Sequence, residues 1–213
     1  PDGTILMKDL QAAIRPDDIH QPPSRLIILE NTHNRCGGVV LSSQYMQRVE
    51  KFARDKGLKL HLDGARIFNA AVAAGLPAKD LTQPADTVTF CLSKALCAPV
   101  GSVLCGSEEF IHRARRIRKM LGGGMRQAGV MAAAGIIAIE EMVERLADDH
   151  RRATTLAEKL AELPGVRLSM GMPQTNMVFI TLAEDLKLTA SQLVAGLAER
   201  NIKIGVVGAR QFR

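Results

Sequence analysis

The sequence predicts an α/β protein built on a mostly parallel sheet with helices on its faces. Short apolar runs alternate along the chain with amphipathic segments, which is the pattern of strands connected by helices. The chain of 213 residues is 46% hydrophobic, yet it has only six Phe, one Tyr and no Trp. Its core must therefore be aliphatic, which suits helices packed on a sheet. This length holds one good core, or one domain and part of another.

Four apolar runs in the first part of the chain predict strands, at residues 25–30, 58–62, 87–92 and 102–105. Helices are predicted at residues 7–14, 42–56, 65–74 and 107–120, and a long one begins near Arg126. Ser42 is a suitable N-cap for the second helix and Gly57 a suitable terminator.

The order of elements changes after Pro164-Gly165, a turn that ends the long helical stretch, which we expect to contain a break. Strands are predicted at residues 166–169, 177–182 and 202–207, with a helix at 190–200. This pattern indicates a large domain over residues 1–150 and a smaller α+β domain over residues 151–213.

Polar residues follow three of the predicted strands closely: Glu30, Asp63 and Lys94. Ligands of open α/β sheets bind beyond the carboxyl ends of the strands, so we expect these side chains to meet at one edge. The apolar runs on both sides of Lys94 predict a buried lysine with a lowered pKa, which is a nucleophilic amine. A pyridoxal 5'-phosphate enzyme needs such a lysine to bond to the cofactor aldehyde, and a carboxylate to pair with the protonated ring nitrogen.

The amino-acid sequences of five segments resemble those of the low-specificity threonine aldolases, within the beta-eliminating lyase/threonine aldolase family. The segments also occur in that family's order. They are Leu-Glu-Asn-Thr-His-Asn at 29–34, His-Leu-Asp-Gly-Ala-Arg-Ile-Phe-Asn at 61–69, Leu-Ser-Lys at 92–94, Ala-Pro-Val-Gly-Ser at 98–102 and Gly-Gly-Gly-Met-Arg-Gln at 122–127. The resemblance implies an aspartate aminotransferase-like large domain (PLP fold type I). It also implies pyridoxal phosphate-dependent cleavage of L-threonine or L-allo-threonine to glycine and acetaldehyde, by a cytoplasmic homodimer or homotetramer.

The resemblance also implies roles for individual residues, each of which has a simpler alternative. Lys94 would bond to the cofactor and Asp63 would pair with its ring, although Asp63 could instead cap the following helix. Arg66 would contact the cofactor and the substrate carboxylate, where a bidentate donor suits the group, or could be a helix-face charge. His33 would take the β-hydroxyl proton, or could be a solvent-exposed loop histidine.

Further positions are implied less directly. Lys119 and Arg126 would approach the cofactor phosphate from a neighbouring subunit, and Arg213 would be the second carboxylate-binding arginine. The glycines at 122–124 could offer backbone N–H groups to a phosphate, or could form a plain hinge. Where the family usually has glycines, this chain has Ala95 and Cys97.

The family carries a glycine-rich phosphate cup and a ring-stacking histidine upstream of the segments found here. We therefore expect a fragment that lacks the N-terminal segment and the C-terminal end, and that is inactive alone. Two other functions stay open: another lyase or racemase of the same fold, such as a β-eliminating lyase, and a non-catalytic paralogue that only assembles with others.

Composition excludes several other classes. The formal charge of +6 comes from Lys and Arg spread along the chain with one dense run at 113–119, which is typical of a solvated helix face and does not favour a nucleic-acid partner. The longest apolar stretch, at 130–139, is about half the roughly 20 residues of a membrane span. Four cysteines without a CxxC pair indicate reduced thiols and no zinc site.

Overall fold

The computed structural model describes residues 2–213, so the first residue of the predicted large domain lies outside the described part. Helices and strands alternate through the first half of the chain. The helices are α1 (Met7–Ala13), α2 (Ser43–Asp55), α3 (Ile67–Ala74), α4 (Ala78–Thr82), α5 (Glu108–Met120), α6 (Gly129–Glu141), α7 (Leu146–Ala161) and α8 (Ala190–Ala198). The strands are β1 (Leu26–Glu30), β2 (Lys59–Asp63), β3 (Thr87–Cys91), β4 (Ser102–Cys105), β5 (Val166–Leu168), β6 (Ile180–Leu182), β7 (Val206–Gly208) and β8 (Gln211–Phe212).

The first sheet has the order β1-β2-β3-β4. The first three strands are parallel and β4 pairs antiparallel with β3, which confirms the predicted mostly parallel α/β sheet. Side chains alternate across each strand, so Leu29 and Leu62 are buried on one face while Glu30 and Asp63 lie on the other. The buried face packs on α2, whose Met46 and Val49 are fully enclosed.

The ends of α2 follow from local chemistry. The Ser42 hydroxyl accepts the backbone N–H of Tyr45 at 3.2 Å, so Ser42 is the N-cap, as predicted. Gly57 has a φ of +64°, a left-handed conformation that costs glycine little, and it ends the helix. The short helix α4 was not predicted from the sequence.

The long helical stretch predicted after residue 126 consists of two helices, α6 and α7, separated at residues 142–145. The predicted break is therefore confirmed, and α6 begins at Gly129, shortly after the predicted start near Arg126. Apolar side chains of this region are strongly exposed: Met120, Leu121 and Val130 are each more than 80% exposed. Groups of exposed apolar side chains are often interaction surfaces in proteins.

The second sheet has the order β5-β6-β8-β7 and all its pairs are antiparallel. Its strands depart from the prediction. The strand expected at 177–182 begins only at Ile180, because the preceding segment is bonded to the large domain: Thr175 Oγ1 donates to the Gly38 carbonyl at 2.9 Å. The strand expected at 202–207 is shifted to Val206–Gly208, where its partner β8 lies. No helix within residues 2–213 is long and apolar enough to cross a bilayer.

A polar contact joins α3 to α7. Asn69, only 2% exposed, lies with its Nδ2 3.1 Å from His150 Nε2, a geometry in which the amide donates to the neutral ring. Burial lowers the pKa of His150, and the nearby Asp149 charge opposes this weakly. Protonation would turn the accepting nitrogen into a second donor, so the junction favours the neutral imidazole.

We expect this junction to make the fold acid-sensitive. The pKa of His150 is lower in the folded than in the unfolded chain, where it is about 6.5. Its contribution to the free energy of unfolding is therefore fully present above pH 6.5 and is lost as the pH falls through the pKa of the folded chain. The measurement is the urea midpoint of unfolding at pH 7.5 and 5.0, for the wild type and for His150→Gln. The drop in midpoint should be larger in the wild type. Equal drops would contradict this role.

Candidate active site

The carboxyl ends of three parallel strands bring polar side chains to one edge of the first sheet. Glu30 and Asp63 are register partners on β1 and β2, and Asp63 pairs in turn with Thr89 on β3. Lys94 lies in the turn that follows β3. The predicted convergence of Glu30, Asp63 and Lys94 at this edge is thus confirmed by the topology.

Asp63 shapes the turn between β2 and α3. Its Oδ1 accepts the backbone N–H of Ala65 at 3.0 Å, and the helix starts only at Ile67 with Arg66 as its N-cap residue. The interpretation of Asp63 as the helix N-cap is therefore wrong. A Cβ on Gly64 would lie 2.9 Å from the Thr89 carbonyl oxygen, so only glycine fits at position 64.

Lys94 is exposed, which makes the predicted burial of its side chain wrong. The apolar neighbours in sequence do turn inward, since Leu96 and Ala98 are buried, but the turn carries Lys94 away from them. Its shape is fixed by two backbone bonds, Cys97 N–H to the Lys94 carbonyl at 2.9 Å and Ala98 N–H to the Leu92 carbonyl at 3.1 Å. The Lys94 amine makes no hydrogen bond or ion pair with the residues that the structure describes.

Cys97 has a φ of +62°, in the region that favours glycine. We expect Cys97→Gly to raise the free energy of unfolding by about 0.5–1 kcal/mol, because the relief of left-handed strain exceeds the added flexibility of glycine. Urea denaturation of both proteins measures the difference. The control is Cys105→Gly on the extended strand β4, which should lower stability, and an equal loss in both variants would contradict the expectation.

Lys94 lines a cavity of about 390 Å³ together with Arg66 and Arg213, and the charged side chains of this cavity are all cationic. Ala95, Asn176, Met177 and Val178 complete the wall. Burial is the main cause that lowers the pKa of Arg66, and the positive charge of Arg213 lowers it further. The positive charges of both guanidinium groups therefore lie around the same cavity. Such a cavity is suited to an anion, and a planar carboxylate fits two arginines.

Arg213 reaches this cavity from the second sheet. Its backbone exchanges two hydrogen bonds with Gly205, each 2.8 Å, and its guanidinium lies 5.9 Å from the centre of the Phe179 ring. Its Nη1 donates to Asn34 Oδ1 at 2.7 Å. Arg213 thus joins the two sheets at the mouth of the cavity.

His33 lies beside Glu30 in the loop after β1. Its Nε2 is 3.9 Å from Glu30 Oε2, while Glu30 Oε1 accepts the Asn34 N–H at 3.2 Å. The side chain is only 28% exposed, so the alternative of a solvent-exposed loop histidine is wrong. Within residues 2–213 its buried Nδ1 has no hydrogen-bond partner.

The glycines at 122–124, with Lys119 and Arg126, are not among the residues that line the cavity with Lys94. Gly122 N–H donates to the Lys119 carbonyl at 3.1 Å and Gly123 N–H to the Arg118 carbonyl at 2.9 Å. These N–H groups close the end of α5, so the expectation that they are free for a phosphate is wrong for Gly122 and Gly123. Lys119 and Arg126 are exposed on the outer surface.

Sequence reasoning missed two asparagines at the site. Asn34 bonds Arg213, and Asn176 contributes to the cavity wall, with a buried Oδ1 that has no partner among the described residues. Asn34 stands next to His33 within a segment already singled out, and that position was the only available signal. Asn176 follows Thr175 just before an apolar run, a pattern that carries no chemical signal.

The fold and the site define a two-sheet α/β protein of the aspartate aminotransferase-like class. Among solved structures, the chain superimposes on the Leishmania major threonine aldolase with a TM-score of 0.75 and 18% identity, over 100% of this chain and 61% of that one. It also superimposes on a PLP-dependent aminotransferase from Streptococcus suis with a TM-score of 0.65 and 16% identity, over 93% of this chain and 51% of that one. These likenesses establish the fold.

The family model described as beta-eliminating lyase matches residues 1–185, and the chain belongs to this family. It is 46% identical over 203 residues to the low-specificity L-threonine aldolase 1 of Arabidopsis thaliana, covering 94% of this chain and 57% of that protein. It is 45% identical over 203 residues to the low specificity L-threonine aldolase of Escherichia coli K12, covering 95% of this chain and 58% of that protein. The chain thus spans slightly more than half the length of the curated relatives it matches.

Proposed function

We propose that this protein is a pyridoxal 5'-phosphate-dependent lyase that cleaves L-threonine or L-allo-threonine to glycine and acetaldehyde. The observation that carries the proposal is the convergence of Arg66, Lys94 and Arg213 on one cavity, beside the strand end that carries Asp63. The names of the relatives in Arabidopsis and Escherichia coli support the same reaction.

The residues at this edge fit the cofactor. Lys94 lines the cavity and its amine is not bonded to any described residue, so the amine is available to the cofactor aldehyde. Asp63 uses Oδ1 for the Ala65 N–H, which leaves Oδ2 to hold the proton of the ring nitrogen. Pyridoxal phosphate, when bound, supplies the electron sink for the pair released as the Cα–Cβ bond breaks.

Arg66 and Arg213 would bind the substrate carboxylate from two sides. Arginine stays charged and presents paired N–H donors, which match a carboxylate better than a lysine ammonium does. The lowered pKa of Arg66, caused by burial and by the Arg213 charge, indicates that an anion between the two groups would stabilise both.

His33 would accept the β-hydroxyl proton as the carbon–carbon bond breaks. Glu30, 3.9 Å from His33 Nε2, would orient the ring. Proton removal from the hydroxyl is required for cleavage but not for exchange of the α-proton of glycine.

We therefore expect His33→Ala to slow threonine cleavage by about 10²–10⁴-fold, the usual range for a positioned base, while glycine α-proton exchange falls less than tenfold. Acetaldehyde release and deuterium exchange by NMR give the two rates. His112→Ala, on the exposed surface of α5, is the matched control. An equal drop of both rates would make His33 a structural residue.

The assembly and the compartment are also proposals. Lys119 and Arg126 would reach the cofactor phosphate of a neighbouring copy in a homodimer or homotetramer, since neither lines the cavity of its own chain. The exposed apolar side chains around residues 120–139 support such an association. The free thiols of Cys36, Cys91, Cys97 and Cys105 support a cytoplasmic protein.

Product analysis tests the proposal. Purified protein from the full reading frame that contains this chain is incubated with pyridoxal phosphate and threonine, and its products are separated. Glycine and acetaldehyde in equal amounts would support the aldolase. Ammonia and a keto acid would indicate β-elimination instead, and the absence of turnover with bound cofactor would favour a non-catalytic paralogue.

A further inference from the structure

We infer that Asn34 is a positioning residue that aims the Arg213 guanidinium at the substrate carboxylate while leaving its positive charge intact. The inference rests on the proposed function, because it assigns Arg213 to that carboxylate. Its structural basis is the 2.7 Å hydrogen bond from Arg213 Nη1 to Asn34 Oδ1, between side chains 179 residues apart in sequence.

Arg213 forms a wall shared by two cavities. One is the cavity with Arg66 and Lys94, and the other, of about 580 Å³, lies on the side of Asn34 and Phe179. Asn34 lines only the second cavity. Asn34 therefore bonds the guanidinium on the side away from Lys94 and does not contact a ligand beside Lys94. Any effect of Asn34 on that ligand must act through Arg213.

The repulsion between Arg66 and Arg213 explains why such a tie is needed. The two positive charges repel each other, and after burial the Arg213 charge is the second cause that lowers the pKa of Arg66. This repulsion favours positions of the Arg213 side chain that lie farther from Arg66. One hydrogen bond and the Phe179 ring hold it in place before the substrate arrives.

The side chain that makes the bond must be uncharged. A carboxylate at position 34 would bind Arg213 more tightly, but it would neutralise the guanidinium and compete with the substrate carboxylate. The asparagine is itself fixed, because its backbone N–H donates to Glu30 Oε1 at 3.2 Å. The same loop thereby orients His33 and Arg213, the groups proposed to act on the hydroxyl and the carboxylate of one substrate.

The test uses the holoenzyme and two readouts, steady-state kinetics with threonine and the dissociation constant of glycine from the change in cofactor absorbance. Asn34→Ala should raise the KM for threonine and the Kd for glycine about tenfold, with kcat within about twofold, the pattern of lost binding that is equal in ground and transition states. Asn34→Asp should raise both at least as much, although it keeps an acceptor. Gln47→Ala, which removes an exposed amide from α2, should change neither.

A double-mutant cycle with Arg213→Ala tests whether the effect of Asn34 on ligand binding acts through Arg213. When Arg213 is already replaced by alanine, the additional change Asn34→Ala should raise the Kd for glycine by less than twofold. Binding of threoninol, which replaces the carboxylate with a hydroxymethyl group, should not depend on Asn34. Additive losses in the cycle, equal weakening for threoninol, or wild-type affinity in Asn34→Asp would each overturn the inference.

Glycine binding is read without turnover, so the inference and the proposed function can fail separately. If the wild type does not cleave threonine but glycine affinity depends on Asn34 through Arg213, only the reaction is wrong. If cleavage occurs and Asn34→Ala behaves like the wild type in both readouts, only the role of Asn34 is wrong.

Discussion

Lys94→Ala is expected to reduce acetaldehyde release from threonine by about 10³-fold or more, because removal of the reacting group of a covalent catalyst eliminates most of the rate enhancement. Lys94 is exposed and its amine has no partner among the described residues, so the variant should keep its fold. Activity of the full reading frame with pyridoxal phosphate gives the rate.

Borohydride reduction of the wild-type holoenzyme identifies the attachment site independently. Peptide mapping should find the reduced cofactor on the peptide that contains Lys94. Lys79→Ala, on the exposed side of α4, is the control for loss of a surface lysine and should retain activity. A label on Lys79 or Lys119 would refute the assignment.

Asp63→Asn is expected to lower kcat by about 10²–10³-fold while cofactor affinity falls less than tenfold, because an electrostatic partner of developing charge is lost but the shape is kept. The asparagine Oδ1 can still accept the Ala65 N–H, so the turn before α3 should persist. Kinetics and a cofactor titration followed by absorbance separate the two quantities.

The matched control is Asp80→Asn, an exposed carboxylate on α4 that should leave kcat unchanged. Wild-type turnover in Asp63→Asn would show that Asp63 does not provide ring protonation. A parallel loss of turnover and cofactor affinity would make Asp63 an anchor for the cofactor rather than a tuning residue.

The first sheet was predictable because β1 and β2 show period-two burial, and the ends of α2 follow from Ser42 and Gly57. Parallel topology then determines that Glu30 and Asp63 meet, since register partners share an edge. Local patterns were sufficient wherever neighbours in sequence are also neighbours in space.

Prediction failed where distant segments decide the outcome. The apolar neighbours of Lys94 suggested burial, but the turn at Cys97 points the side chain outward. The strand expected from residue 177 is shortened because Thr175 bonds Gly38, 137 residues away. Asn34 and Arg213 form their bond across an even longer separation, which no periodicity in the sequence encodes.

The hydrogen bonds that tie the segments before β6 and after β8 to the loop after β1 also bear on the order of folding. Those from Thr175 to Gly38, from Val40 to Gln174 and from Arg213 to Asn34 connect residues separated by 137, 134 and 179 positions. Closing loops of this size is slow and entropically costly compared with pairing β1, β2 and β3. During synthesis, the edge with Asp63 and Lys94 can form early, while Arg213, which we propose to bind the substrate carboxylate, is made later. If the proposed function holds, cofactor binding should therefore precede substrate binding along the folding pathway.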